Sequence, residues 1–327
     1  MSHRSNTDET QKKESLSMRF FCVRSVFHLW LTILVVAGGA NAGPPVSIAE
    51  KANSLEIARE GKPFASYVFR DEQVLRPYLA RVHAPNGVQV TRTHPPVTGK
   101  DATDHATMHP GVWLAFGDMS SADFWRNRGT VKHVRFVDPP KSDRNGASFT
   151  ALNRYEAGGK TICEERRHIT IRPQPSGTLL LWDSRFTADT DFYFGDQEEM
   201  GFGVRVATPL AVQKGGAIVD SAGRKNERQV WGQQADWCAY RGTIDGKSAG
   251  VAIMPHPDNF RRAWFHARDY GLLVANPFGQ RAFTKGAASK VHVKAGETFR
   301  LRFGLLVFTG DPDLNAAFRE YAAQIVE

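Results

Sequence analysis

The densest run of chemistry-bearing side chains is Asp104-His105-Ala106-Thr107-Met108-His109-Pro110-Gly111-Val112-Trp113, followed by Gly117-Asp118 and Asp123-Phe124-Trp125. Its imidazoles, carboxylates and indoles fall near a predicted strand end where Pro and Gly fix the backbone, the composition of a polar site with an aromatic wall. Imidazole titrates nearest neutral pH, so His105 and His109 are candidate acid–base groups; the bland alternative for each is a histidine bonded to a loop carbonyl. Their spacing of four would let one helical turn aim both rings at a divalent metal. Pro110 limits such a helix, and two ligands fall short of the three or four a site requires, so no metal and no cofactor is assigned. Trp113 and Trp125 are candidate ligand contacts with Asp118 and Asp123, because a sugar offers C–H faces to indoles and hydroxyls to carboxylates. The alternatives are core packing for the indoles and turn formation for the carboxylates.

Two further blocks contribute. In Asp196-Gln197-Glu198-Glu199-Met200-Gly201-Phe202-Gly203-Val204-Arg205, adjacent carboxylates on an extended backbone point to opposite faces. Glu199 is therefore taken as the inward, catalytic one, Glu198 as solvated, and Arg205 as a ligand contact. The third block runs from Met254-Pro255-His256-Pro257 through Trp264-Phe265-His266-Ala267-Arg268-Asp269-Tyr270-Gly271 to Asn276-Pro277-Phe278-Gly279. Flanking prolines restrict His256, as suits a fixed loop histidine. His266 sits among apolar residues, where a satisfied core histidine is the leading alternative. Both join the acid–base candidates, with Asp269 and Asn276 as ligand contacts.

Several strong signatures are absent. There is no Gly-x-Ser-x-Gly elbow, no Walker loop, no His-Glu-x-x-His and no paired Cys-x-x-Cys, which removes support for standard hydrolase, nucleotide and zinc-protease chemistry.

The elements that must position these residues read as β-structure. Short β-branched and aromatic runs occupy 64–69, 78–83, 112–116, 131–137, 148–155 and 161–171, and further runs occupy 178–186, 203–207, 237–244, 249–254, 271–275, 290–293 and 298–308. Turn clusters such as Asn145-Gly146 and Asp245-Gly246 separate them. Leu301, Phe303, Leu305 and Val307 recur with period two and place Arg300 and Arg302 on the opposite face. Only the C-terminus reads as helix, capped at Asp311 with Pro312 in its first turn and a stripe of Leu314, Ala317, Phe318, Tyr321, Ala322 and Ile325. The pattern predicts a single all-β domain over 43–327, a large antiparallel sandwich with a C-terminal helix.

Residues 1–42 read as an export signal. Met18-Arg19-Phe20-Phe21-Cys22-Val23-Arg24 is a basic n-region, 26–37 an apolar h-region, and Ala40-Asn41-Ala42 a cleavage signature; Met18 is an alternative start. The apolar run is shorter than the about 20 residues of a spanning helix, so the mature chain is expected in the periplasm or secreted, off the membrane. Cleavage takes five of the 42 basic and three of the 34 acidic residues, leaving 37 and 31, a net of +6. The charges are mixed, with short clusters at Glu164-Glu165-Arg166-Arg167-His168 and Arg261-Arg262, so no basic stripe suggests nucleic acid. Cys163 and Cys238 remain, and an oxidising compartment permits them to pair.

Across these blocks the sequence resembles a family of exported bacterial proteins labelled PmoA-like, or "methane oxygenase PmoA". The likeness rests on Asp104-His105, His109-Pro110-Gly111-Val112-Trp113, Gly117-Asp118, Asp123-Phe124-Trp125, the Glu198-Glu199 to Arg205 segment, Gly250-Val251-Ala252-Ile253 with His256-Pro257, Arg268-Asp269-Tyr270-Gly271 and Asn276-Pro277-Phe278-Gly279. Many relatives carry another His where this chain has Met108, which weakens a multi-His metal proposal. An oxygenase does not follow from the label, because the particulate methane monooxygenase subunit is an integral membrane protein and this pattern is that of a soluble β-protein. The resemblance implies a galactose-mutarotase-like supersandwich with a small-molecule or oligosaccharide ligand in a groove of His and acidic residues. The expectation is thus an exported protein performing His/carboxylate acid–base epimerisation or elimination on a sugar. A non-catalytic carbohydrate-binding module is the alternative class, and a metal-dependent oxidoreductase the third. The sequence carries no signal of oligomeric state.

Overall fold

Alternation of apolar and polar residues builds two antiparallel sheets that bury one face of each against the other. In the computed structural model, residues 44–324 are described; the proposed signal of 1–42 lies outside them, as does Ile325. The first sheet has nine strands in the spatial order Val46–Glu50, Ser54–Arg59, Lys62–Val68, Tyr78–Ala80, Val112–Phe116, Met200–Arg205, Leu272–Asn276, Trp264–Arg268 and Gln233–Gln234. The second has eight: Ala217–Asp220, Cys238–Ile244, Lys247–Pro255, Phe299–Phe308, Gly177–Thr187, Lys160–Gln174, Gly146–Ala157 and Thr130–Asp143. The all-β antiparallel sandwich is as expected.

Period-two patterning decides which side chains face inward. Leu114, Phe116, Phe202, Val204 and Leu273 from the first sheet meet Phe149, Ile169, Trp182, Leu301, Phe303 and Leu305 from the second in the main core. The cluster at 164–168 obeys the same period. Glu165 and Arg167 point inward and pair at 2.7 Å, fully buried, while Glu164, Arg166 and His168 face out. Two residues of this charged run are therefore core rather than surface.

The outer face of the second sheet carries the C-terminal helix, Leu314–Ala322, whose Leu314, Ala317 and Tyr321 pack on Met254, Leu306 and Phe308. Its N-cap is Asp313, which accepts from the Ala316 N–H. Asp311 does not cap but pairs with Arg241. The outer face of the first sheet carries its own small core of Val74, Tyr78, Ala80, Trp113, Ala115, Trp125, Leu272 and Val274, over which the loops 70–77, 102–111 and 117–129 are laid. Cys163 and Cys238 are buried and unpaired. No helix among the described residues is long and apolar enough to cross a membrane.

Candidate functional site

The loop that begins the first sequence block has no regular secondary structure, and two buried guanidiniums give it its shape. Arg92 donates to the carbonyls of Ala102 (2.9 Å), Asp104 (2.6 Å), His105 (3.3 Å) and His109 (3.1 Å). From the other side Arg76 donates to the Trp125 and Met108 carbonyls and to Asn127 Oδ1. Burial lowers the pKa of each arginine to about 10, so both stay charged at neutral pH. Such carbonyl cradles satisfy loop backbone that no sheet partner reaches.

Within this loop the spacing of four is realised as one helical turn, since the His109 N–H donates to the His105 carbonyl at 3.0 Å. The rings do not converge on a shared metal. They stack, with centroids 4.9 Å apart, and His109 stacks in turn on Trp113 at 5.2 Å. Burial, then the charges of His105 and three arginines, pushes the His109 pKa well down and keeps the ring neutral. Gly203 makes room for this pile, because a Cβ there would sit 2.8 Å from the Trp113 ring.

His105 differs from His109. Its side chain is 42% exposed, and its Nδ1 lies 2.8 Å from Asp104 Oδ2. Asp104 is itself gripped bidentately by buried Arg205 at 2.8 and 2.7 Å. Burial opposes ionisation of Asp104, but the bonds from Arg205 and His105 outweigh it and hold its carboxyl well below the usual range. A carboxylate on Nδ1 makes that nitrogen the proton-bearing one and leaves Nε2 as the basic position. Among the described residues no protein group bonds that Nε2. Tyr270 packs against both partners of Asp104, its ring centroid 6.0 Å from that of His105 and 4.5 Å from the Arg205 guanidinium carbon.

Beyond Tyr270 lies a band of half-exposed ion pairs. Glu198 meets Arg268 at 3.2 Å, Arg268 meets Glu227 at 2.8 Å, and Glu199 meets Arg126 at 2.9 Å. Burial, helped by the neighbouring Glu199 charge, raises the Glu198 pKa despite Arg268. Glu227 goes the other way, because bonds from Arg268 and the Asp269 N–H overcome its burial. Two nearby carboxylates thus have unequal proton affinities, the usual basis for separate acid and base roles.

Of the predicted residues, His105 and Glu199 present side chains at this surface. Others position it. Asp123 accepts from the Trp125 and Arg126 N–H groups and pairs with Arg126; Asp269 accepts from the Glu227 N–H. Asn276 is fully buried, donates to the Gln197 and Glu198 carbonyls and accepts from the Phe278 and Gly279 N–H groups, so its side chain is occupied in shaping the Glu198 segment. Arg205 is likewise occupied by Asp104. His266 is buried between the Glu198 carbonyl on Nδ1 and Arg268 Nε on Nε2, and its pKa falls to about 4, chiefly through burial. It is a satisfied core histidine.

Four expectations are corrected. Trp113 and Trp125 are 0% and 1% exposed and form core rather than a sugar-stacking wall. Asp118 holds the turn at Ser121 and lies against Gly195. His256 belongs to the second sheet, packed on Tyr321 of the C-terminal helix, because it keeps the parity of Met254. Glu198 is not simply solvated, since 198–199 form a bend before the strand starts at Met200 and strand alternation does not govern them. Sequence reasoning also missed Arg76, Arg92, Arg126, Glu227 and Arg268. Only Arg268 lay in a block already marked.

The fold and this surface define an antiparallel sandwich with a polar, half-exposed cluster of titratable side chains on the outer face of one sheet. The chain belongs to the family of unknown function DUF6807, which matches residues 54–322. No curated protein matches it in sequence. It is similar to a galactose mutarotase-like protein from Clostridium acetobutylicum at 8% identity, over 82% of this chain and 99% of that one, with a TM-score of 0.46. It is also similar to the GalM/aldose epimerase homologue from C. elegans, at 11% identity over 81% and 100% of the two chains, TM-score 0.35. A mutant heparan sulfate lyase HepC from Pedobacter heparinus matches at 10% identity and TM-score 0.39, over 84% of this chain, which spans 36% of the lyase. These likenesses are of architecture and say nothing of activity.

Proposed function

We propose that this protein is an exported enzyme that performs acid–base chemistry, epimerisation or elimination, on a sugar, with His105 and Glu198 as the proton-transfer groups. The observation that carries the reading is the Arg205–Asp104–His105 relay, which fixes a part-exposed imidazole through its Nδ1 and leaves its Nε2 without a protein partner among the described residues. Ring opening of a sugar needs one group to take the anomeric hydroxyl proton and another to protonate the ring oxygen. His105 Nε2 suits the first task, and Glu198, whose raised pKa keeps more of it protonated, suits the second. Tyr270 stands near the partners of both, since its hydroxyl feels the charges of Arg205 and Asp104 and of Arg268 and Glu227. Half-buried Tyr270 and Trp231 supply flat faces, and Arg126 with Glu199 can exchange hydrogen bonds with sugar hydroxyls. The test is turnover of reducing sugars and oligosaccharides by wild type, His105→Ala and Glu198→Gln. Wild-type turnover lost in both variants supports the reading; turnover unchanged in both refutes it.

A further inference from the structure

The outer face of the second sheet holds an arrangement that this site does not use. Strand pairing sets Arg166 directly opposite Arg185, and Arg185 directly opposite Arg300, so three arginines stand side by side across three adjacent strands. Like charges directly opposite in a sheet destabilise it. The adjoining outward row is Thr150, His168, Asp183 and Arg302, again in register. Asp183 is the compensating carboxylate, bonded by Arg300 at 2.9 and 2.5 Å and 3.8 Å from Arg185. Arg302 is occupied by Asp258. Arg166 is exposed and has no carboxylate or carbonyl partner among the described residues.

Between these rows lies a hollow of about 230 Å³ lined by Asp138, Thr150, Arg166, His168, Asp183 and Arg185. His168 is held between the Thr150 hydroxyl at 2.8 Å and the Thr170 hydroxyl at 3.1 Å, so its nitrogens are engaged. The hollow thus offers two guanidiniums on one side and two carboxylates on the other. A densely anionic ligand would be repelled by Asp138 and Asp183, and a neutral sugar would leave Arg166 without a carboxylate partner. One anionic group flanked by hydroxyls answers both, its carboxylate bridging the forked donors of Arg166 and Arg185 and its hydroxyls donating to the two aspartates.

We propose that this hollow binds a uronic-acid unit of an acidic oligosaccharide, at a site on the opposite sheet from His105 and independent of it. Calorimetric titration with digalacturonate, its neutral methyl ester and inorganic phosphate tests this on wild type, Arg166→Gln, Arg185→Gln, Arg166→Lys and His105→Ala. The expected result is that digalacturonate binds at least tenfold more tightly than the ester or phosphate. Each Gln variant should weaken it about tenfold or more, Arg166→Lys should be intermediate because charge is kept and the fork is lost, and His105→Ala should leave it unchanged. Thermal melts establish that the exposed Arg166 variants are folded: Arg166→Gln is expected at or above the wild-type Tm because a like charge is removed, and Arg166→Lys close to it. Equal binding of acid and ester, binding of phosphate as tight as digalacturonate, no binding at millimolar concentration, or loss in His105→Ala but not in the arginine variants would each overturn the assignment. The last of these would place the uronate at the first sheet instead.

Discussion

Asp104 and His105 are neighbours in the chain whose side chains close on one another, Oδ2 to Nδ1 at 2.8 Å, over a backbone that His105 bends to a φ of +50°. Positive φ is uncommon for a residue with a Cβ and persists only where the surroundings enforce it. Here Arg92, bonded to the carbonyls on both sides, and Arg205, bonded to the carboxylate, supply that enforcement.

The relay makes Asp104→Asn informative. The amide cannot hold Arg205 as a charged bidentate partner, and it leaves a buried guanidinium short of its counter-ion. We expect a stability loss of about 1–3 kcal/mol, measured by urea unfolding, together with reduced turnover. Full stability with full activity would show that the carboxylate orients nothing.

Trp113→Ala and Trp125→Ala are expected to cost about 3–5 kcal/mol each, because both indoles are buried in the small core on the outer face of the first sheet. Calorimetric melts measure this. A variant that kept its Tm while losing ligand affinity would restore the stacking role.

Gly203→Ala should destabilise by about 1–3 kcal/mol, since the added methyl meets the Trp113 ring at 2.8 Å and displaces a stack that includes His109. The gain or loss is read from chemical unfolding. An unchanged midpoint would mean that the indole does not lie against that strand as described.

Stability should fall on acidification. In the unfolded chain His266 binds a proton near pH 6.5, whereas in the folded state it waits until about pH 4. The unfolded state therefore takes up the proton first as pH drops, and stability is lost progressively between these two values. Replacing His266 by Gln should flatten this segment of the stability–pH curve. An identical slope in both proteins would contradict it.

How much of this was legible in the sequence depended on periodicity. The inward set Leu301, Phe303, Leu305 and Val307 was readable because alternation decides its face, whereas Val112–Phe116 was readable as a strand but not by face, since all five residues are apolar and buried. The strand Trp264–Arg268 was masked by its polar residues, His266 and Arg268, which look like site chemistry until their mutual hydrogen bond is known. Arg76 and Arg92 stand alone in unpatterned segments, and their function is to bind carbonyls, for which no sequence spacing exists. His256 was misplaced because its flanking prolines report loop rigidity and not which sheet the loop serves.

The central claim is that His105 performs proton transfer on a sugar, and proton NMR of anomeric exchange and product formation in a mixed panel of reducing sugars and oligosaccharides tests it most directly. The account predicts that wild type accelerates at least one conversion and that His105→Ala, at unchanged Tm, slows it by roughly 10²–10⁴-fold. A His105→Ala protein that turns over the same sugar at the wild-type rate would contradict it.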